Sequence, residues 1–104
     1  MNIVKELKEQ IKDFQQRRFA QDNNWTTGNC YWYAQILQIR FPQLDIYYQP
    51  INNHWIAGNK NLNIYADWDG IYSITELQEK PILWTEYVKL DFRHALRLIK
   101  QCIH

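Results

Sequence analysis

The chain has 104 residues, of which 46 % are hydrophobic and 15 % aromatic, with only three glycines and three prolines. Such a chain can bury one core, so residues 1–104 read as a single domain rather than a disordered segment, hiding about 60–65 % of its unfolded surface. Twelve Lys and Arg against eleven Asp and Glu leave a net charge of +1, which points to neither nucleic acid nor an anionic membrane as partner, and no apolar run approaches the roughly 18–20 residues of a membrane span.

The first residues mix Lys5 and Glu6 among Ile3, Val4 and Leu7; without an apolar h-region they do not read as a signal peptide, and the expected location is cytoplasmic. Val4, Leu7, Ile11 and Phe14 recur at three- and four-residue intervals between charged residues, which predicts an amphipathic helix over residues 2–20. Gln21-Asp22-Asn23-Asn24 ends it, and the polar loop Trp25-Thr26-Thr27-Gly28-Asn29 leads into a second helix. There Cys30, Ala34, Leu37 and Phe41 share a face, and Pro42 stops the helix.

The periodicity then becomes strand-like over residues 45–49, a turn falls at Pro50-Ile51-Asn52-Asn53, and runs at 54–58 and 62–67 form a hairpin around Asn59-Lys60-Asn61. Trp68-Asp69-Gly70 is a loop. In residues 71–80, Ser73 or Thr75 can cap a short helical turn through Glu76 and Leu77, stopped by Pro81. A last helix is predicted over residues 91–103, capped by Asp91, with Phe92, Ala95, Leu96, Ile99, Cys102 and Ile103 on its core face. The order is α, α, β, β, β, α, an α+β domain with helices packed on a small antiparallel sheet.

Chemistry gathers around Cys30. A cysteine in the first turn of a helix meets unpaired backbone N–H groups and the positive end of the helix dipole, both of which favour the reactive thiolate. A nucleophilic thiol also needs a base and a group to hold that base. His54 heads the second strand run and Asp67 ends the third. A hairpin closing over residues 59–62 sets His54 directly opposite Asp67 on one face, while a slip of one residue separates them.

The order of a helix-start Cys, a strand His and an Asp on the next strand resembles the papain-like superfamily in its compact NlpC/P60 and transglutaminase-like forms. The string Trp25-Thr26-Thr27-Gly28-Asn29-Cys30-Tyr31-Trp32-Tyr33-Ala34, with His54-Trp55 and Tyr65-Ala66-Asp67, also resembles small uncharacterised proteins of Gram-positive bacteria and their mobile elements. The likeness spans about residues 25–70. It implies a reduced papain-like architecture and a cysteine hydrolase or acyltransferase acting on an amide or ester bond without a cofactor. Cys30 would be the nucleophile, His54 the general base and then acid, and Asp67 the orienter. The oxyanion would be met by the Cys30 backbone N–H and a donor from residues 23–27. The family's sheet is longer than the three strands read here, and its NlpC/P60 members more often carry a polar, non-acidic third residue.

Each of these residues has a plainer reading. Cys30 shares a face with Ala34 and Leu37 and could be a core thiol, His54 a packed strand histidine, and Asp67 part of an Asp67-Trp68-Asp69-Gly70 turn. Under that reading the protein is an inactive papain-like scaffold, possible in a phage or mobile element, that binds and modulates a host protein instead of cleaving a peptide or amide substrate. Cys102 reads as core and His94 as surface. No CxxC or HxxxH pair supports a metal site. Trp25, Tyr31, Trp32, Trp55 and Trp68 flank the Cys, His and Asp in sequence; Trp25, Tyr31, Trp55 and Trp68 are the candidate walls of a substrate groove. Lys89, Arg93, Arg97 and Lys100 form a basic stripe, read as a solvated face in preference to a phosphate-binding one.

Overall fold

Asn2 begins the first helix by accepting the Val4 and Lys5 backbone N–H groups at 3.1 and 3.4 Å, satisfying donors that a helix start leaves unpaired. A computed structural model describes residues 2–17 and 30–102, and in it helix α1 is Ile3–Gln16. Its inward face is Leu7, Ile11 and Phe14, as the spacing predicts. The helix ends sooner than expected, with Arg17 already extended. Trp25 and the rest of residues 18–29 lie outside the described residues. Helix α2, Cys30–Arg40, buries Cys30, Ala34 and Leu37, and Phe41 follows them into the core.

Five strands form one antiparallel sheet: β1 (Asp45–Gln49), β2 (His54–Asn59), β3 (Ile64–Asp67), β4 (Gly70–Tyr72) and β5 (Ile82–Leu83), in the order β4-β3-β2-β1-β5. The two-residue period divides their side chains. Ile46, Tyr48, Trp55, Ala57, Ile64 and Ala66 join α1 and α2 in the main core, while Tyr47, Ile56 and Tyr65 form a smaller cluster on the other face with Leu77 and Leu83. The α+β expectation holds, but the sheet has two strands more than predicted. β4 and β5 are three and two residues long, too short for an alternation to register.

The C-terminal part also differs. An additional helix, α3 (Trp84–Leu90), starts at Leu83 with no side-chain cap, so its start carries no capping signal in the sequence. It inserts Trp84 into the core, with Tyr87 packed against it. Helix α4, Phe92–Cys102, is capped as predicted, Asp91 Oδ1 accepting the His94 N–H at 3.1 Å. Its buried face is Ala95 and Leu98, whereas Phe92 and Leu96 are 63 % and 43 % exposed. The docking of α4 beside α3 turns the helix away from the predicted orientation. The Cys102 side chain and residues 103–104 lie outside the described residues. Residues 74–76 form a hydrogen-bonded turn, Glu76 N–H to Ser73 O, and not a helix.

The hairpin register is Ala57↔Ala66, Gly58↔Tyr65 and Asn59↔Ile64. Continued along the strands, it puts Ile56 across from Asp67, which corrects the directly opposed His54–Asp67 pair. The cause is a longer turn over residues 60–63, in which the Asn59 side chain accepts the Leu62 N–H at 3.0 Å and Asn63 adopts φ 53°. A shift of two residues preserves the face, so His54 and Asp67 become diagonal neighbours on the same side.

Candidate active site

His54 opens β2 and Asp67 closes β3, so both side chains stand at one end of the sheet. His54 Nε2 lies 2.9 Å from Asp67 Oδ2, with the two side chains only 16 % and 13 % exposed. The second carboxylate oxygen is also occupied, Oδ1 accepting the Asp69 and Gly70 N–H groups at 2.8 and 3.2 Å. Turn formation and contact with His54 therefore coexist in Asp67, the turn fixing the carboxylate that faces the ring. On the His54 side, Glu79 grips the preceding turn through the Ile51 and Asn52 N–H groups and Asn52 Nδ2, at 2.8, 3.0 and 3.1 Å. Tyr48 Oη donates to Asn53 Oδ1 at 2.8 Å, with Asn53 at φ 50°.

The Cys30 side chain also acts on the His54 imidazole and favours its charged form. Cys30 is 1 % exposed and is not disulfide-bonded. Burial, the largest single influence on the ring, favours neutral imidazole. It is outweighed by the hydrogen bond to Asp67 and by the influence of Cys30 and of the Asp67 charge, and the His54 pKa rises to about 9. The resting imidazole near neutral pH is therefore cationic.

Tyr33 is a neighbour that sequence reasoning passed over. It is 1 % exposed, and burial together with the Asp67 charge pushes its phenol well above the ordinary range. It lies three residues beyond Cys30, on the same face of a helix, and that spacing was the available signal. Trp68 packs edge-on to Phe14 and Tyr33, with centroids 5.6 and 5.9 Å apart, and its carbonyl accepts Gln15 Nε2. Helix α1 is thereby tied to the turn that carries Asp67.

Two of the proposed groove aromatics pack into the core. Tyr31 and Trp55 are buried side by side, centroids 5.4 Å apart, in a cluster with Tyr48 and Trp84. Their bulk fills the core, because β2 turns Trp55 toward α2. A cleft of about 460 Å³ instead borders His54 and Asp67, walled by Gln49, Asn52, Asp69, Tyr72, Glu76, Leu77 and Gln78. Among the described residues, neither Cys30 nor a tryptophan lines it. Burial and the Asp67 charge raise the Asp69 pKa, against the lowering influence of His54. His94, expected at the surface, meets Tyr87 Oη through Nδ1 at 2.5 Å. Among the described residues no three His, Cys, Asp or Glu side chains gather as metal ligands, and no helix is long and apolar enough to cross a membrane.

The fold and this end of the sheet define an α+β protein with a buried imidazole hydrogen-bonded to a carboxylate. The chain belongs to the phage YunG-like protein family, whose model matches residues 5–95. No curated protein and no solved structure matches it.

Proposed function

We propose that this phage YunG-like chain is a small thiol hydrolase or acyltransferase, encoded by a phage or mobile element, that acts on an amide or ester bond through Cys30, His54 and Asp67. The observation that carries this reading is the buried His54 imidazole held 2.9 Å from the Asp67 carboxylate, with the Cys30 side chain also favouring its charge. With Nε2 taken by Asp67, Nδ1 is the ring nitrogen left to serve the sulfur. With His54 already protonated, Cys30 attacks the substrate carbonyl carbon as the thiolate beside that imidazolium, and the oxyanion meets the Cys30 backbone N–H at the start of α2. The imidazolium then protonates the leaving amine or alcohol as its bond to carbon breaks, leaving a thioester on Cys30. His54, now neutral, takes a proton from water or an amine, which attacks the thioester; the C–S bond breaks, the acyl product leaves, and the thiolate is restored beside the imidazolium.

The papain-like likeness rests on the chain order of Cys, His and Asp and on a thiol helix packed against an antiparallel sheet; the five strands bring the sheet nearer the length that likeness implies. The cleft supports a substrate class. Its walls carry the carboxylates of Asp67, Asp69 and Glu76 and the amides of Gln49, Asn52 and Gln78, with no Lys or Arg among the described residues. That lining suits a peptide presenting amide N–H donors or a positive charge. The setting is the cytoplasm, where thiols are kept reduced.

A second reading draws on the 1 % exposure of Cys30: an inactive scaffold that binds a host protein, with the three residues serving packing. Iodoacetamide labelling at pH 7 separates the two. The catalytic reading expects Cys30 to react at least about tenfold faster than a free model thiol and to slow in His54→Ala. Labelling no faster than the model thiol overturns it, as does a folded Cys30→Ala variant that retains the full biological effect.

A further inference from the structure

On the sheet face turned away from α1 and α2, the segment from Ser73 to Pro81 separates two hollows of opposite character. One is the carboxylate-lined cleft beside His54. The other is a cavity of about 510 Å³ lined by Tyr47, Lys60, Tyr65, Ile74, Lys80 and Leu83, among others. That volume is within the usual range of small-molecule sites, roughly 300–1,000 Å³.

Its floor is apolar and aromatic. Tyr47 and Tyr65 meet edge-on, centroids 5.4 Å apart, over the small cluster that includes Ile56 and Leu83. Its rim is cationic: Lys60 and Lys80 line it, no Asp or Glu is among its described lining residues although the Asp45 charge reaches Tyr47, and neither lysine makes an ion pair among the described residues.

We propose that this cavity binds a small organic anion with a planar apolar body, its ring on the Tyr47–Tyr65–Leu83 floor and its carboxylate or phosphate held by Lys60 and Lys80. Apolar contact supplies the affinity for the ring, and the two ammonium groups select the charge. The site is independent of Cys30 and would stand if the thiol proved inert.

The test is an NMR titration of the full chain with 1-naphthoate, 1-naphthyl phosphate, neutral 1-naphthalenemethanol and cationic 1-naphthylmethylamine. Both anions are expected to shift the amides of Lys60, Tyr65, Lys80 and Leu83 and to bind about tenfold more tightly than the alcohol. Lys60 and Lys80 are exposed, so a Lys60→Gln/Lys80→Gln double variant should keep its spectrum. It should lose that preference while binding the alcohol as before, and Cys30→Ala should bind all four probes normally. Shifts clustered elsewhere, an amine that binds as well as the acids, or a double variant with undiminished preference for the anions would overturn the proposal.

Discussion

At the scale of single residues, His54 shows how neighbours can reverse the effect of burial. Burial alone would discharge the ring, yet contacts with Asp67 and Cys30 hold its pKa near 9 against an ordinary 6.5. A folded-state pKa above the unfolded one means that the proton stabilises the fold. The contribution, of the order of 2–3 kcal/mol, is complete below about pH 6.5 and is lost as pH rises toward 9. Urea denaturation from pH 6 to pH 10 should show the midpoint falling across that window, with the fall much reduced in His54→Gln. Replacing Asp67 with Asn should bring the His54 pKa down, because burial is then opposed mainly by Cys30, and an NMR titration of the ring reads the change directly. An unmoved titration in Asp67→Asn would mean that the carboxylate does not hold the charge.

At the scale of elements, the decisive feature is the β2–β3 hairpin, because it sets which residues share the end of the sheet. Asn63 tolerates φ 53° and its side chain accepts the Ile74 N–H at 2.8 Å, joining the hairpin to the segment that divides the two hollows. Within β2, Gly58 leaves room that Tyr65 occupies: an added Cβ would lie 2.5 Å from Tyr65 Cδ1 and 2.9 Å from the Ile64 carbonyl oxygen. Gly58→Ala should therefore cost about 1–3 kcal/mol through overpacking, read as a lower thermal midpoint. A midpoint equal to wild type would show that the Tyr65 ring moves aside freely. His54 and Asp67 were legible as partners from their places at strand ends, but the four-residue turn that makes them diagonal was not. An αL Asn within Asn61-Leu62-Asn63 leaves no stronger mark than a shorter turn would.

At the scale of the whole molecule, one core joins α1, α2 and the sheet. Leu7 and Leu37 are each 0 % exposed within it. Leu37→Ala should cost about 2–5 kcal/mol, a large share of the roughly 5–15 kcal/mol that holds a small domain folded. Calorimetry should record a drop of the order of 10–20 °C. A shift of only a degree or two would mean that the helix layer repacks around the space. Tyr31, Tyr48, Trp55 and Trp84 fill the interior, while the clefts on the opposite face are walled mainly by polar residues and tyrosines.

Helix faces and the long strands follow from local spacing, because an apolar stripe must be buried whatever packs on it; Leu7, Ile11, Phe14, Ala34, Leu37 and Phe41 were readable for that reason. The candidate chemistry was readable too, in the order Cys30, His54 and Asp67. Long-range packing decided what local spacing could not. It formed the edge strands β4 and β5 from residues with little pattern of their own, seated α3, and turned α4 so that Phe92 faces solvent. It also brought Tyr33 toward Asp67 and set the register that joins His54 to its carboxylate. Spacing along the chain specifies which face of an element seeks burial, whereas the partner that buries it, and the side chains thereby brought within hydrogen-bonding distance, depend on contacts between residues far apart in sequence.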